Sequence, residues 1–216
     1  MLRKMFLIGT GLGIALLISS SRVGAKNLAK PEPVLTISVY NGADVPRDTL
    51  QQAEKEAARV FRKAGIEVKW QNCEAPAESQ VSVACREAIF PAHLHVRIAR
   101  KPLRAKDGVL GISFLGADGR GCQADLFYER MEDLTESSHG SLASLLGHVA
   151  AHEVGHLLLG TNSHAAAGIM QAHWTGDKLV GLYFSPAESA RMRKRLAAGI
   201  GEEKRAPRLA EASADD

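Results

Sequence analysis

The sequence predicts one α+β domain, in which several short strands precede a long apolar helix. Two segments, 34–40 and 93–98, alternate apolar and polar residues as half-buried strands do. Between them, apolar residues from 50 to 61 recur at helical spacing. A chain of 216 residues with 45% hydrophobic residues is long enough for one such domain.

Turn and capping residues give the limits of the first elements. The first strand ends at Asn41-Gly42, Pro46 begins the first helix, and Gly65 ends that helix. A second strand is predicted over 66–70. A polar segment with little pattern, 74–92, is predicted to be a loop.

The second half of the chain completes the sheet and adds two helices. Further strands are predicted over 93–98, 109–115 and 123–128, with the last of them at a sheet edge. A long helix is predicted from 141 to 159, ending at Gly160. Residues 185–188 form a capping box that begins a last helix running to about Ala198. Its four basic residues predict a solvated face: Arg191, Arg193, Lys194 and Arg195.

The first 25 residues have the pattern of a signal peptide. Basic residues at 3 and 4 precede an apolar run over 6–18, and small residues at 23 and 25 precede a cleavage site before Lys26. The run is shorter than the about 20 residues that span a membrane. We therefore predict an exported protein, periplasmic or secreted, without stable membrane insertion after cleavage. An uncleaved N-terminal anchor is the alternative.

The remaining chain divides into a domain over 26–200 and a polar, disordered tail over 201–216. Without the three basic residues of the signal peptide, 24 basic residues face 24 acidic ones, so no nucleic-acid partner is predicted. The cysteines are Cys73, Cys85 and Cys122. A bridge between the first two would close a short loop, but the sequence does not decide whether it forms.

A His-Glu-x-x-His motif, residues 152–156, lies in the long helix. Residues four apart lie on one helical face, so His152 and His156 can bind one zinc ion. Glu153, beside the first ligand, can take a proton from zinc-bound water. Chance would produce the motif about 0.02 times in such a chain. Glu153 is also the only charged residue between 137 and 176, in a helix apolar nearly all round.

Catalytic zinc usually has three protein ligands, so a third is required. His164 is the best candidate, because Gly160 can end the helix and the following turn can return the chain to the metal. Glu188 and His173 are alternatives. His148, one turn before His152, is expected to lie beside the site rather than in it.

The segment from 152 to 164, followed by Gly168-Ile169-Met170, resembles the metzincin clan of zinc metallopeptidases. The resemblance implies a twisted mixed sheet with an active-site helix and a C-terminal helix. It also implies one catalytic zinc on His152, His156 and His164, Glu153 as the base, and Met170 as the floor of the site. The strand over 123–128 would bind extended substrate. His164 comes eight residues after His156, where the family has six.

Two function classes follow from these observations. The first is a secreted zinc-dependent endopeptidase that acts on a peptide or protein substrate. The alternative is an exported, non-enzymatic binding module stabilised by zinc. A structural zinc site normally has four protein ligands and no need of a base, so Glu153 favours the enzyme.

Overall fold

The computed structural model describes residues 32–73, 85, 87–102, 105–106, 108–138, 140–174 and 181–203. The predicted signal peptide and most of the loop predicted over 74–92 lie outside these residues. The last helix extends to Glu203, which places 201–203 of the predicted tail in a helix. The rest of that tail also lies outside the described residues.

The α+β class predicted from the sequence is confirmed. The five strands are β1 (Val34–Asn41), β2 (Glu67–Cys73), β3 (His93–Ala99), β4 (Gly111–Phe114) and β5 (Gln123–Phe127). The helices are α1 (Arg47–Lys63), α2 (Tyr128–Ser138), α3 (Leu142–Leu159) and α4 (Pro186–Glu203).

Helix α2 was not predicted. Its buried residues are Tyr128, Met131 and Thr135, spaced so that they form a narrow stripe among charged neighbours. Three buried positions in eleven residues give too weak a helical pattern to separate from the preceding strand.

The five strands form one mixed sheet in the order β2-β1-β3-β5-β4. The first four in that order are parallel, whereas β4 pairs antiparallel with β5 at the edge. The edge position predicted for 123–128 is therefore wrong, because β5 lies between β3 and β4. Burial agrees, since four of the five β5 residues are buried but only Ser113 is buried in β4.

The apolar face of the sheet packs against α1 and α3 to form the core. These helices approach closely at Gly147, where a Cβ atom would lie 2.5 Å from the carbonyl oxygen of Ala53. Among the described residues, α3 is the one helix long and apolar enough to cross a membrane, and 83% of it is buried inside the fold. It is the central helix of the core.

Arginines of α4 hold the ends of the two core helices. Arg193 donates to the carbonyl of Ala64, just after α1. Arg191 donates to Leu159 at 3.3 Å, and Arg195 to Leu158 at 3.4 Å. These carbonyls lack partners within their helices, so the guanidinium groups cap them. Arg191 and Arg193 are exposed, as predicted, and Arg195 is half-buried, but each also donates to a main-chain carbonyl.

Cys73, at the end of β2, forms a disulfide with Cys85. The bridge that the sequence left open is therefore present, and it ties the chain after β2 back to the sheet. Cys122 is a free thiol.

Candidate metal centre

Three histidines converge beside the end of α3. His152 and His156 lie one turn apart on the helix, and both are buried. Gly160 ends the helix with a positive φ of 69°, which reverses the chain and brings the exposed His164 to the same point. One ring nitrogen from each histidine lies within 4.8 Å of the others.

Main-chain carbonyls determine how the two helical imidazoles are protonated. The Nδ1 atom of His152 lies 2.8 Å from the carbonyl oxygen of Ile169, and that of His156 lies 2.7 Å from the carbonyl oxygen of Thr161. A carbonyl only accepts, so each Nδ1 atom carries the proton. The Nε2 atoms of the neutral rings are then unprotonated.

These two Nε2 atoms face each other at 3.0 Å. Two nitrogen lone pairs at that distance repel, and a cation that both can bind removes the repulsion. Three imidazole nitrogens are a donor set that suits zinc, and carbonyl bonds from Nδ1 are the usual support of such ligands. The residues therefore fit a zinc ion.

Burial keeps these imidazoles in the form that binds metal. It lowers the pKa of His152 to about 4, against the opposing effect of the Ile169 hydrogen bond. Burial also lowers the pKa of His156. Near neutral pH both rings are uncharged, as metal ligation requires.

Glu153 lies on the same helix with its side chain against the edge strand. It is 6% exposed, and burial raises the pKa of its carboxyl to about 7 in spite of a hydrogen bond from Ser113. The Ser113 hydroxyl lies 2.6 Å from Glu153 Oε2. A Cβ atom on Gly111 would lie 2.7 Å from Glu153 Cγ, so only glycine leaves room there. The sequence analysis did not identify Gly111 and Ser113, because they lie on β4 and no local motif connects that strand with α3.

Met170 is fully buried under α3. A Cβ atom on Gly155 would lie 2.7 Å from both Met170 Sδ and the ring of Phe184, so the small residue in the motif admits this packing. The same turn supplies the Ile169 carbonyl that holds His152.

Trp174 is a further neighbour that the sequence analysis missed. Its Nε1 atom donates to the Ile169 carbonyl at 3.2 Å, and its ring lies edge-on to His152 with centroids 5.4 Å apart. The indole thus contacts both a candidate ligand and the carbonyl that orients it.

The alternative ligands lie elsewhere. Glu188 accepts from the main-chain nitrogen of Ser185 at 2.7 Å, so its carboxylate is engaged in the predicted capping box. His148 is buried, with Nδ1 bonded to Ser144 and Nε2 3.3 Å from Glu56. Within the described part of the chain, neither these residues nor His173 belongs to the converging group.

No protein-family model matches the chain, and no curated protein matches it. It is similar to the crystal structure of a zinc-dependent peptidase from Methanocorpusculum labreanum, with 15% identity, a TM-score of 0.49, and coverage of 72% of this chain and 99% of that one. Archaemetzincin from Methanopyrus kandleri gives 13% identity, a TM-score of 0.48, and coverage of 79% and 99%. Metalloproteinase-II from Bacteroides fragilis is 13% identical, with a TM-score of 0.45. The match covers 78% of this chain and 54% of that one.

Proposed function

We propose that this chain is an exported, zinc-dependent endopeptidase. One observation carries the proposal: two unprotonated Nε2 atoms lie 3.0 Å apart on a helix whose only carboxylate, that of Glu153, is buried. A core helix without a metal would gain nothing from either feature, since both cost free energy.

His152, His156 and His164 would hold one zinc ion. When bound, zinc supplies a Lewis acid that polarises a carbonyl oxygen and makes water more acidic. Glu153 accepts a proton from the attacking water and returns it to the leaving nitrogen. Burial raises the pKa of this carboxyl, whereas the zinc charge would lower it, and these opposing effects suit a group that both accepts and returns a proton.

The substrate would bind along β4. This strand is the sheet edge beside Glu153, and its one neighbour among the described strands is β5. An extended peptide can pair with such an edge through main-chain hydrogen bonds. The sequence analysis assigned substrate binding to 123–128, but that strand is internal to the sheet, so we assign this role to β4 instead.

The zinc-stabilised binding module is the weaker candidate. A structural site normally has four protein ligands, whereas three converge among the described residues. Such a module also needs no buried carboxyl beside the metal.

The substitution Glu153→Gln tests the proposal. We expect zinc content to stay near one per chain while cleavage of a quenched-fluorescent peptide library falls by about 10²- to 10⁴-fold. Glu188→Gln is the matched control, because Gln also completes a capping box, and it should keep both properties. Full activity in Glu153→Gln would refute the proposal.

A further inference from the structure

We propose that Ser113 is a positioning residue, whose hydroxyl holds the Glu153 carboxyl in place against β4. The inference rests on the proposed function, in which Glu153 is the base. Its evidence is the contact between β4 and α3.

The Ser113 hydroxyl has two partners on one residue. Its Oγ lies 2.6 Å from Glu153 Oε2 and 2.7 Å from the main-chain oxygen of Glu153. Both residues are buried, with 8% of Ser113 and 6% of Glu153 exposed. A hydroxyl has a single proton, so it can donate to only one of the two oxygens at a time.

The bond from Ser113 engages one oxygen of the carboxyl. Donation to Oε2 holds that oxygen against β4. The other oxygen, Oε1, takes no part in this bond and is left for proton transfer. The main-chain oxygen of Glu153 lies near the same hydroxyl, so Ser113 is held next to this residue on both sides.

The backbone of β4 confines the carboxyl as well. A Cβ atom on Gly111 would lie 2.7 Å from Cγ and 2.9 Å from Oε1 of Glu153. Gly111 and Ser113 are two residues apart on the strand, so both lie on the same face of the sheet. A peptide paired with β4 would therefore lie on the strand that also positions the base.

Ser113→Ala removes the hydroxyl and leaves the backbone unchanged. We expect kcat to fall by about 10- to 100-fold, as for the loss of other supporting hydrogen bonds at active sites. KM should change by less than about threefold, because the hydroxyl contacts the base and not the peptide. Zinc content should stay near one per chain.

Two further variants separate this role from a structural one. Ser113→Thr keeps a hydroxyl and suits a strand, so it should recover most of kcat. Ser38→Ala removes a buried hydroxyl from β1, where it lies 2.7 Å from His93, and should leave kcat unchanged.

A measurement without turnover tests the contact itself. In the zinc-loaded protein, the loss of Tm caused by Ser113→Ala should be smaller in a Glu153→Ala background than in the wild type. Additive losses would show that the two side chains are not coupled and would overturn the inference.

The proposed function and the inference fail in different ways. A wild-type protein that binds zinc and cleaves no peptide refutes the function, and then the Tm cycle alone decides whether the contact exists. A wild type that cleaves peptides, with Ser113→Ala retaining its kcat, refutes the positioning role alone.

Discussion

The protein has two groups of histidines that differ in kind. His152, His156 and His164 form a triad beside α3, with ring centroids 4.6 to 5.3 Å apart. His93 and His95 form a pair on β3, with centroids 5.4 Å apart. By spacing alone, the pair resembles the triad.

Hydrogen bonds at the ring nitrogens distinguish the two groups. In the triad, carbonyls hold both helical Nδ1 atoms, so the Nε2 atoms point to one place. In the pair, His93 Nε2 lies against the Ser38 hydroxyl, while His95 Nε2 is buried and has no hydrogen-bond partner among the residues that the structure describes. A metal site therefore depends on main-chain acceptors that orient the rings as much as on the number of histidines.

The largest expected difference between the two groups is in zinc content. The variant His156→Ala should lose its zinc, and His164→Ala should bind zinc markedly more weakly, because each removes one of three ligands. The double variant His93→Ala/His95→Ala should retain about one zinc per chain. Elemental analysis of the purified proteins measures this. Equal zinc loss in the pair variant would remove the distinction between the two groups.

Chelation should reveal the same contrast in stability. Zinc at about 100 times its dissociation constant stabilises the folded state by about 2.7 kcal/mol. Adding a strong chelator should lower the Tm of the wild type and of the pair variant, but not that of His156→Ala. A drop of the same size in His156→Ala would mean that the triad does not bind the stabilising ion.

The substitution Trp174→Phe should reduce zinc affinity by less than the loss of a histidine ligand does. It removes the indole N–H from the Ile169 carbonyl that also orients His152, so zinc affinity should fall by about tenfold. Trp70→Phe is the matched control, because the buried Nε1 atom of Trp70 has no hydrogen-bond partner within the described part of the chain. Competition with a chelating dye gives both affinities. Equal affinities in the two variants would show that the Trp174 bond does not matter.

His93 and His95 should affect the free energy of unfolding by binding protons rather than metal. This is the smallest of the four expected effects. Burial lowers the pKa of His93 and His95 below that of an unfolded histidine. As the pH falls through about 6.5, the unfolded chain binds protons first, so the folded state loses stability. His93→Gln/His95→Gln should flatten this loss in urea unfolding between pH 7.5 and 5. An unchanged slope would exclude the pair as its source.

Local features were predictable from the sequence. The spacing of His152 and His156, the limits of α3 and the capping box at Ser185 each depend on residues within one or two helical turns. Helix geometry alone therefore placed the two histidines on one face.

Features that depend on long-range contacts were not predictable from the sequence. That β4 rather than β5 forms the edge depends on strand pairing across the sheet. Ser113 reaches Glu153 over 40 positions, and the arginines of α4 reach carbonyls 32 to 129 positions away. No periodicity records such contacts, because each is made by a single side chain with a main-chain or distant partner.

The arginines of α4 also impose an order on biosynthesis. A ribosome makes α1 and the histidines of α3 before it makes Arg191, Arg193 and Arg195. Until those residues emerge, the carbonyls of Ala64, Leu158 and Leu159 lack these donors. A chain that ends before α4 can thus contain every candidate ligand and still lack the arginines that cap the end of α3. The proposed zinc site would therefore be secured only after α4 has been synthesised.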